Sequence, residues 1–333
     1  MTFRLITALF ILAVCGTFTV FAQSPQLSVS EGKTYKNLTI FLIRGNDTAK
    51  NAKILTLQEA MARDLFAVYE TSEVNELEVE NLSKDFDVFI QSGDIVKGGK
   101  QDRVLAVSII VPARSGRIRI AAFCVESGRW QQREAESDKK FSSSDSRIVS
   151  KELKVAANES RSQGEVWRQV EAVQDKLSTN VSADVQSSKS KTSLQLSLEN
   201  KKVQAAIDEY VAKFIRISEG ETDVIGYAFA INGVINSADV YASNALFKKL
   251  WPRMLRAAAT EAVAEYNARL AFRPIKSGQV SAFMKDADAA KAETRKAPAG
   301  TTIMVKADSE NSVYESVDEK SKVVVHRNYV KKN

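Results

Sequence analysis

The chain has 333 residues, 47 Lys and Arg against 41 Asp and Glu, a formal net charge of +6, one His and two Cys. At 44% hydrophobic and 26% charged it is globular in composition, and it is long enough to bury a large core without disulfides. One imidazole and two thiols exclude a His-rich metal centre, a structural zinc site and a disulfide scaffold, and the well-mixed charge signs argue against nucleic acid as a partner.

Arg4 and the apolar run Leu5–Val14 have the form of a secretory signal, and Val20-Phe21-Ala22 before Gln23 supplies a cleavage site. Leu12–Cys15 also resembles a lipobox, with Val14 a poor residue before a lipidated Cys15, so ordinary cleavage is the preferred reading. The protein is therefore expected to be exported, periplasmic or secreted. No later stretch approaches 18 apolar residues, so no membrane span is expected after cleavage. Residues 1–22 are read as signal, 23–34 as linker and 35–330 as a single domain. Loss of Arg4 and Cys15 leaves a charge of +5 and one thiol, Cys124. Its neighbours Ala121–Val125 read as core, with a reactive thiol as the alternative.

Residues 35–130 read as β-rich. Leu38–Ile43, Leu77–Asn81, Val88–Ile90, Val104–Val111 and Arg117–Val125 are strand candidates, several alternating at period two. Short strands at this spacing suggest an antiparallel sandwich or barrel. Thr56 and Glu59 form a capping box, predicting a helix that continues through Ala60–Leu65. The Ser-rich stretches 135–162 and 178–197 read as mobile loops. Ser162 and Glu165 start a second helix along Val166, Val170, Val173 and Leu177, and a third covers about 199–216; both apolar stripes read as core packing.

Asn232-Gly233 between Val224–Ile231 and Val234–Tyr241 predicts a type I′ hairpin. Ser243 opens a helix to about Arg269, with a kink or break expected at Pro252. A helix over 278–293 and strands at Thr302–Lys306, Ser312–Ser316 and Lys322–Val330 complete the chain. The fold class expected is α+β: an antiparallel, sandwich- or barrel-like β-rich first part and a helical, hairpin-containing second part.

The segments Gly93–Arg103, Val111–Ser115, Cys124–Trp130, Ile225–Gly233, Ala238–Tyr241 and Leu246–Pro252 together resemble the ADP-ribosylglycohydrolase and rhodanese-phosphatase-superfamily-associated protein domain family. The resemblance spans about 35–270, extends toward the C-terminus, and is most specific from Gly98 to Trp130. It implies a single α+β domain and a role near NAD or ADP-ribose metabolism. Asp102 departs from the amide that the family string leads one to expect.

The ligand-binding candidates are Gly98, Gly99, Lys100, Gln101, Arg103, Glu126 and Arg129. Paired glycines let backbone amides approach an anion, Lys100 and Arg103 suit phosphate or carboxylate, and Gln101 donates and accepts. The spacing is neither GxxxxGK(S/T) nor a dinucleotide fingerprint, and a polar turn with solvated charges is the alternative. Glu126 and Arg129 either complete that pocket or form an ion pair, and Trp130 either packs or stacks on a ring. Glu126, Asp94 and Asp239 are the catalytic candidates as general acids or bases, with Cys124 or water. Alternation leaves the face of His326 open. Three functions follow: a non-enzymatic binding or accessory module with an anion-accepting loop for a phosphorylated or carboxylated small molecule, a hydrolase of a nucleotide- or ADP-ribose-like substrate, and an envelope protein-interaction module. No cofactor and no metal is expected in any of them.

Overall fold

The computed structural model describes residues 26–332, apart from 51, 134, 135, 138, 148, 149 and 161. The expected signal segment, Cys15 included, lies outside the described residues. In chain order the strands and helices are β1 (Ser28–Val29), β2 (Lys33–Tyr35), β3 (Leu38–Arg44), β4 (Ile54–Thr56), α1 (Leu57–Ala62), β5 (Phe66–Glu70), β6 (Glu76–Asn81), β7 (Asp87–Ile90), β8 (Asp94–Gly98), β9 (Arg103–Leu105), β10 (Ile109–Val111), β11 (Arg117–Cys124) and β12 (Phe141–Arg147). There follow α2 (Lys151–Val155), which runs into a π-helical turn at Ala156–Ser160, then α3 (Gln163–Asn180), α4 (Leu194–Leu198), α5 (Lys201–Phe214), β13 (Val224–Ile231), β14 (Val234–Tyr241), α6 (Asn244–Ala264), α7 (Ser277–Asp288), β15 (Ala292–Ala297), β16 (Thr301–Ala307), β17 (Asn311–Asp318) and β18 (Val324–Lys331).

The fold is α+β, 35% strand and 28% helix. A nine-stranded sheet runs β1-β3-β13-β14-β18-β17-β16-β15, with β2 also on β3. A six-stranded sheet has the order β12-β8-β9-β11-β6-β5, and a three-stranded one the order β10-β7-β4. All pairings are antiparallel except β4 with β7. Thus β3 leaves the first-half strands to lie against the predicted hairpin, whose turn residues Asn232 and Gly233 have φ of +53° and +76°. The two faces of the large sheet differ. Phe41, Ile43, Ala228, Val240 and Tyr329 pack on Val280, Phe283 and Met284 of α7. Tyr227, Phe229 and Tyr241 on the other face pack with Leu246, Phe247 and Trp251 of α6.

Several elements differ from the sequence reading. The run Val104–Val111 is two strands in two sheets, because β9 pairs with β8 and β11 while β10 pairs with β7. The Ser-rich stretch 135–162 contains β12, α2 and the π turn. The inward residues of β12 include Ser144, bonded to Gln195, and Arg147, paired with Asp94, so polar groups do there what apolar alternation would have advertised. Helix α3 continues to Asn180 and α4 occupies 194–198, which shortens the second loop. Helix α1 keeps its capping box but ends at Ala62, with Asp64 at φ +53°. Helix α7 ends at Asp288, and Ala292–Ala297 is an exposed edge strand. Pro252 does not break α6, which is one element from Asn244 to Ala264. Burial of Leu250, Trp251, Met254, Leu255 and Ala258 outweighs the cost of about 3 kcal/mol expected for an interior proline. Among the described residues no helix is long and apolar enough to cross a membrane.

Candidate functional site

The turn between β8 and β9, with the strand ends on either side, holds five of the seven ligand candidates, and Glu126 and Arg129 follow β11. Gly98 and Gly99 have φ of +112° and +55°. Their amides, which would face an anion, donate instead to Asp102 Oδ1 at 3.1 Å and to the Ser137 carbonyl at 2.9 Å. Lys100 Nζ donates to Ser72 Oγ at 3.0 Å. Arg103 is fully buried; its guanidinium contacts the Cys124 thiol and reaches Glu70 at 3.4 Å. Gln101 is fully buried too, with both amide atoms lacking a partner among the described residues.

Behind the turn, charges are paired in the interior. Arg133 grips Asp102 at 2.7 and 2.9 Å, and Arg129 grips Glu126 with two contacts of 2.8 Å. Burial and the charge of Glu126 raise the Asp102 carboxyl above its ordinary value against the pull of Arg133. Burial also opposes ionisation of Glu126, but Arg129, Ser190 and the Asp102 amide outweigh it and hold that carboxyl low. The backbone amides of Gly98 and Gly99 and the cations around them are engaged by protein acceptors, and the Gln101 side chain is not. Asp102 makes that engagement possible, since a carboxylate accepts two guanidinium bonds at once. Trp130 is 53% exposed and lines a surface groove rather than packing in the core.

The catalytic candidates part company. Glu126 belongs to the cluster just described. Asp94 is clamped by Arg147 and by Arg253, the latter at 3.1 Å, and accepts the Gln91 amide at 3.0 Å. Asp239 lies elsewhere, on the α6-facing side of the large sheet. Strand register puts Tyr227 opposite Asp239, Asp239 opposite Asn328 and Tyr241 opposite His326, so all these side chains share one face.

That face borders a cavity of about 170 Å³. Its floor is Tyr227, Phe229, Asp239, His326 and Asn328; Gln91 reaches it from just after β7, Ser108 from just before β10, and Lys154, Ala157 and Asn158 from α2 and the π turn. The rest of the lining includes Met254, Ala257 and Ala258 of α6 and Ile303 and Val305 of β16, together with the cations Arg147, Arg295 and Lys296. Asp239 Oδ1 accepts from Asn328 at 3.0 Å and Gln91 at 3.3 Å, and lies 2.8 Å from His326 Nε2. Asp239 Oδ2 is buried with no partner among the described residues. Burial opposes the ionised form, but the hydrogen bond and charge of His326 outweigh it, and the carboxyl is held below its ordinary value. Such a site takes a donor from a ligand at Oδ2 and offers the Lys154 ammonium to an acceptor.

The family model of the ARG and Rhodanese-Phosphatase-superfamily-associated Protein domain matches residues 26–331. The chain belongs to this family. No curated protein and no solved structure matches it. The family description records an association and assigns no activity, so the matched span brings no substrate with it. The span contains both the turn at 98–103 and the cavity. Sequence reasoning reached Asp239 but missed Gln91, Ser108, Lys154, Asn158 and Asn328, and left His326 unplaced. One signal was present: Ser108 is a buried polar residue within the otherwise apolar run Val104–Val111.

Proposed function

We propose that this protein binds one ring-sized polar molecule in the cavity over the large sheet. The observation that carries the reading is Asp239 Oδ2, a buried carboxylate oxygen without a partner among the described residues, in a residue that lines the cavity. A buried polar atom left unpaired costs about 1–3 kcal/mol, which a ligand donor recovers. An apolar wall with a few convergent polar groups is the ordinary make-up of a small-molecule site. A volume of about 170 Å³ is close to that of a cavity that admits benzene, so the ligand is one ring in size. Its chemistry is a hydroxyl or ammonium donor toward Asp239 and a carbonyl or carboxylate acceptor toward Lys154. The signal-like segment supports an exported setting for this activity.

The test is a thermal-shift screen against single-ring compounds carrying hydroxyl, amino, carbonyl and carboxyl groups. At 100 times Kd a ligand stabilises by about 2.7 kcal/mol, a rise of several degrees. Ala106, partly buried on the cavity wall, gives the control, because Ala106→Leu fills the space. The shift is expected to vanish in that variant. A panel without a single shift, or one whose shifts survive Ala106→Leu, overturns the reading; shifts lost instead in Lys100→Ala would return the ligand to the glycine turn.

A further inference from the structure

Within the cavity the imidazole of His326 is engaged at both nitrogens. Nε2 is 2.8 Å from Asp239 Oδ1, and Nδ1 is 3.3 Å from the hydroxyl of Ser108. An ionised carboxylate only accepts, so whenever the imidazole is neutral it carries its proton on Nε2 and presents a lone pair at Nδ1. The Ser108 hydroxyl must then be the donor on that side. Its oxygen also accepts the Ser92 amide at 3.0 Å, which fixes its position. Any acceptor would satisfy Ser92; that need does not account for a base and a carboxylate lined up behind the hydroxyl. Nucleophile, base and orienting carboxylate in hydrogen-bond sequence are the arrangement of an activated serine, and the first contact is commonly loose before substrate binds.

We propose that Ser108 is a nucleophile activated by His326, with Asp239 as the positioning residue, and that the cavity's ligand is a small carboxylic ester, open-chain or cyclic, bearing a hydroxyl that donates to Asp239 Oδ2. The inference rests on the cavity being the binding chamber. The volume of about 170 Å³ matches one ring, and a lactone is a ring with an electrophilic carbonyl. Lys154, which also lines the cavity, supplies a cation for the oxyanion. In the first step Ser108 Oγ bonds to the carbonyl carbon while its proton passes to His326 Nδ1. The acyl carbon–alkoxy oxygen bond breaks, and the alkoxy oxygen takes that proton. Water then adds to the acyl carbon, giving a proton to Nδ1, and Ser108 Oγ leaves and takes it back. Ester and water become acid and alcohol.

Methanesulfonyl fluoride is small enough for the cavity and transfers its sulfonyl group to activated serines with loss of fluoride. Incubated with the full chain, it is expected to modify Ser108 as located by peptide mass spectrometry, and to leave Ser108→Ala unmodified. Phenyl acetate turnover is expected to disappear in Ser108→Ala. In Asp239→Asn, where the amide donates to Nε2 and forces the proton to Nδ1, kcat is expected to fall by about 10²- to 10⁴-fold with KM unchanged. A parallel change in both constants would mean a merely structural role for Asp239 and would overturn that part. No sulfonylation, or sulfonylation of another residue, overturns the nucleophile. If Asp239→Asn does not fold, the peptide map and Ser108→Ala still decide. Ligand-induced thermal shifts in the wild type without labelling would leave the binding chamber standing and remove the chemistry alone.

Discussion

Cys124 lies between the Arg103 guanidinium and the Val74 carbonyl and is fully buried. Burial pushes its thiol up to about 11, against the charge of Arg103. Relative to the ordinary value of 9.0, that leaves about a hundredth of the thiolate at neutral pH, and the thiolate is the reactive form. In the native protein at pH 7.5 the reaction of Cys124 with a disulfide reagent is therefore expected to be slower than in denaturant by about 10²-fold or more. Stopped-flow absorbance on folded and unfolded chains measures the ratio, and comparable rates would place the thiol at the surface. With Cys124 inert, a hydrolase built on it loses its nucleophile, and Ser108 is the hydroxyl that the cavity offers instead. The same contrast holds among carboxylates: Glu126 and Asp94 have their charges matched by arginines, and Asp239 alone of the three keeps an oxygen free among the described residues.

At the level of elements, the cavity floor depends on how closely β13 approaches β14. Gly226 has no side chain where a Cβ would stand 2.3 Å from the Asp239 carbonyl oxygen and 3.0 Å from Val240 Cα. Both obstacles are backbone, so β14 itself must move. Gly226→Ala is expected to cost about 1–3 kcal/mol by overpacking and to weaken the cavity's ligand by displacing Asp239. Gly164, in α3, has open space at its Cβ position, and Gly164→Ala is expected to stabilise by about 0.4–1 kcal/mol. Urea midpoints of the two variants compare them directly; equal effects would mean that the strands tolerate the extra atom. Legibility followed the same division. The hairpin at Asn232-Gly233, the capping box at Thr56 and the helix stripe through Val203, Ile207, Tyr210 and Phe214 were readable because turn chemistry and periodicity are local. Strand β12 was not, because its inward positions are polar. The Asp239–His326 contact was not readable either: 87 residues separate the two, and only the register of β14 against β18 brings them together.

Across the whole molecule, Glu261 ties three layers to one another. From α6 its Oε1 accepts the Lys151 amide at the start of α2 at 2.9 Å and the Asn236 amide of β14 at 2.8 Å, while Oε2 has no partner among the described residues. It thereby anchors the segment that carries Lys154, Ala157 and Asn158 to the cavity wall. Burial pushes this carboxyl from 4.5 up to about 7, opposed by the charge of Lys154 and by the bonds from Asn236 and Lys151. A folded-state value above the unfolded one means that the native state holds the proton more tightly. The resulting stability is complete below about 4.5 and is lost as pH rises through about 7. At about 1.4 kcal/mol per pKa unit the loss is about 3 kcal/mol. Groups held low, such as Asp239 and Glu126, gain stability in the opposite direction but at more acid pH, so the effect is isolated by difference. Glu261→Gln keeps the shape and cannot ionise. Between pH 5 and 8 the wild type is expected to lose about 3 kcal/mol relative to Glu261→Gln in denaturant titrations. A pH-independent difference would mean that Glu261 titrates alike in both states, and that ionisation of this anchor leaves the cavity wall in place.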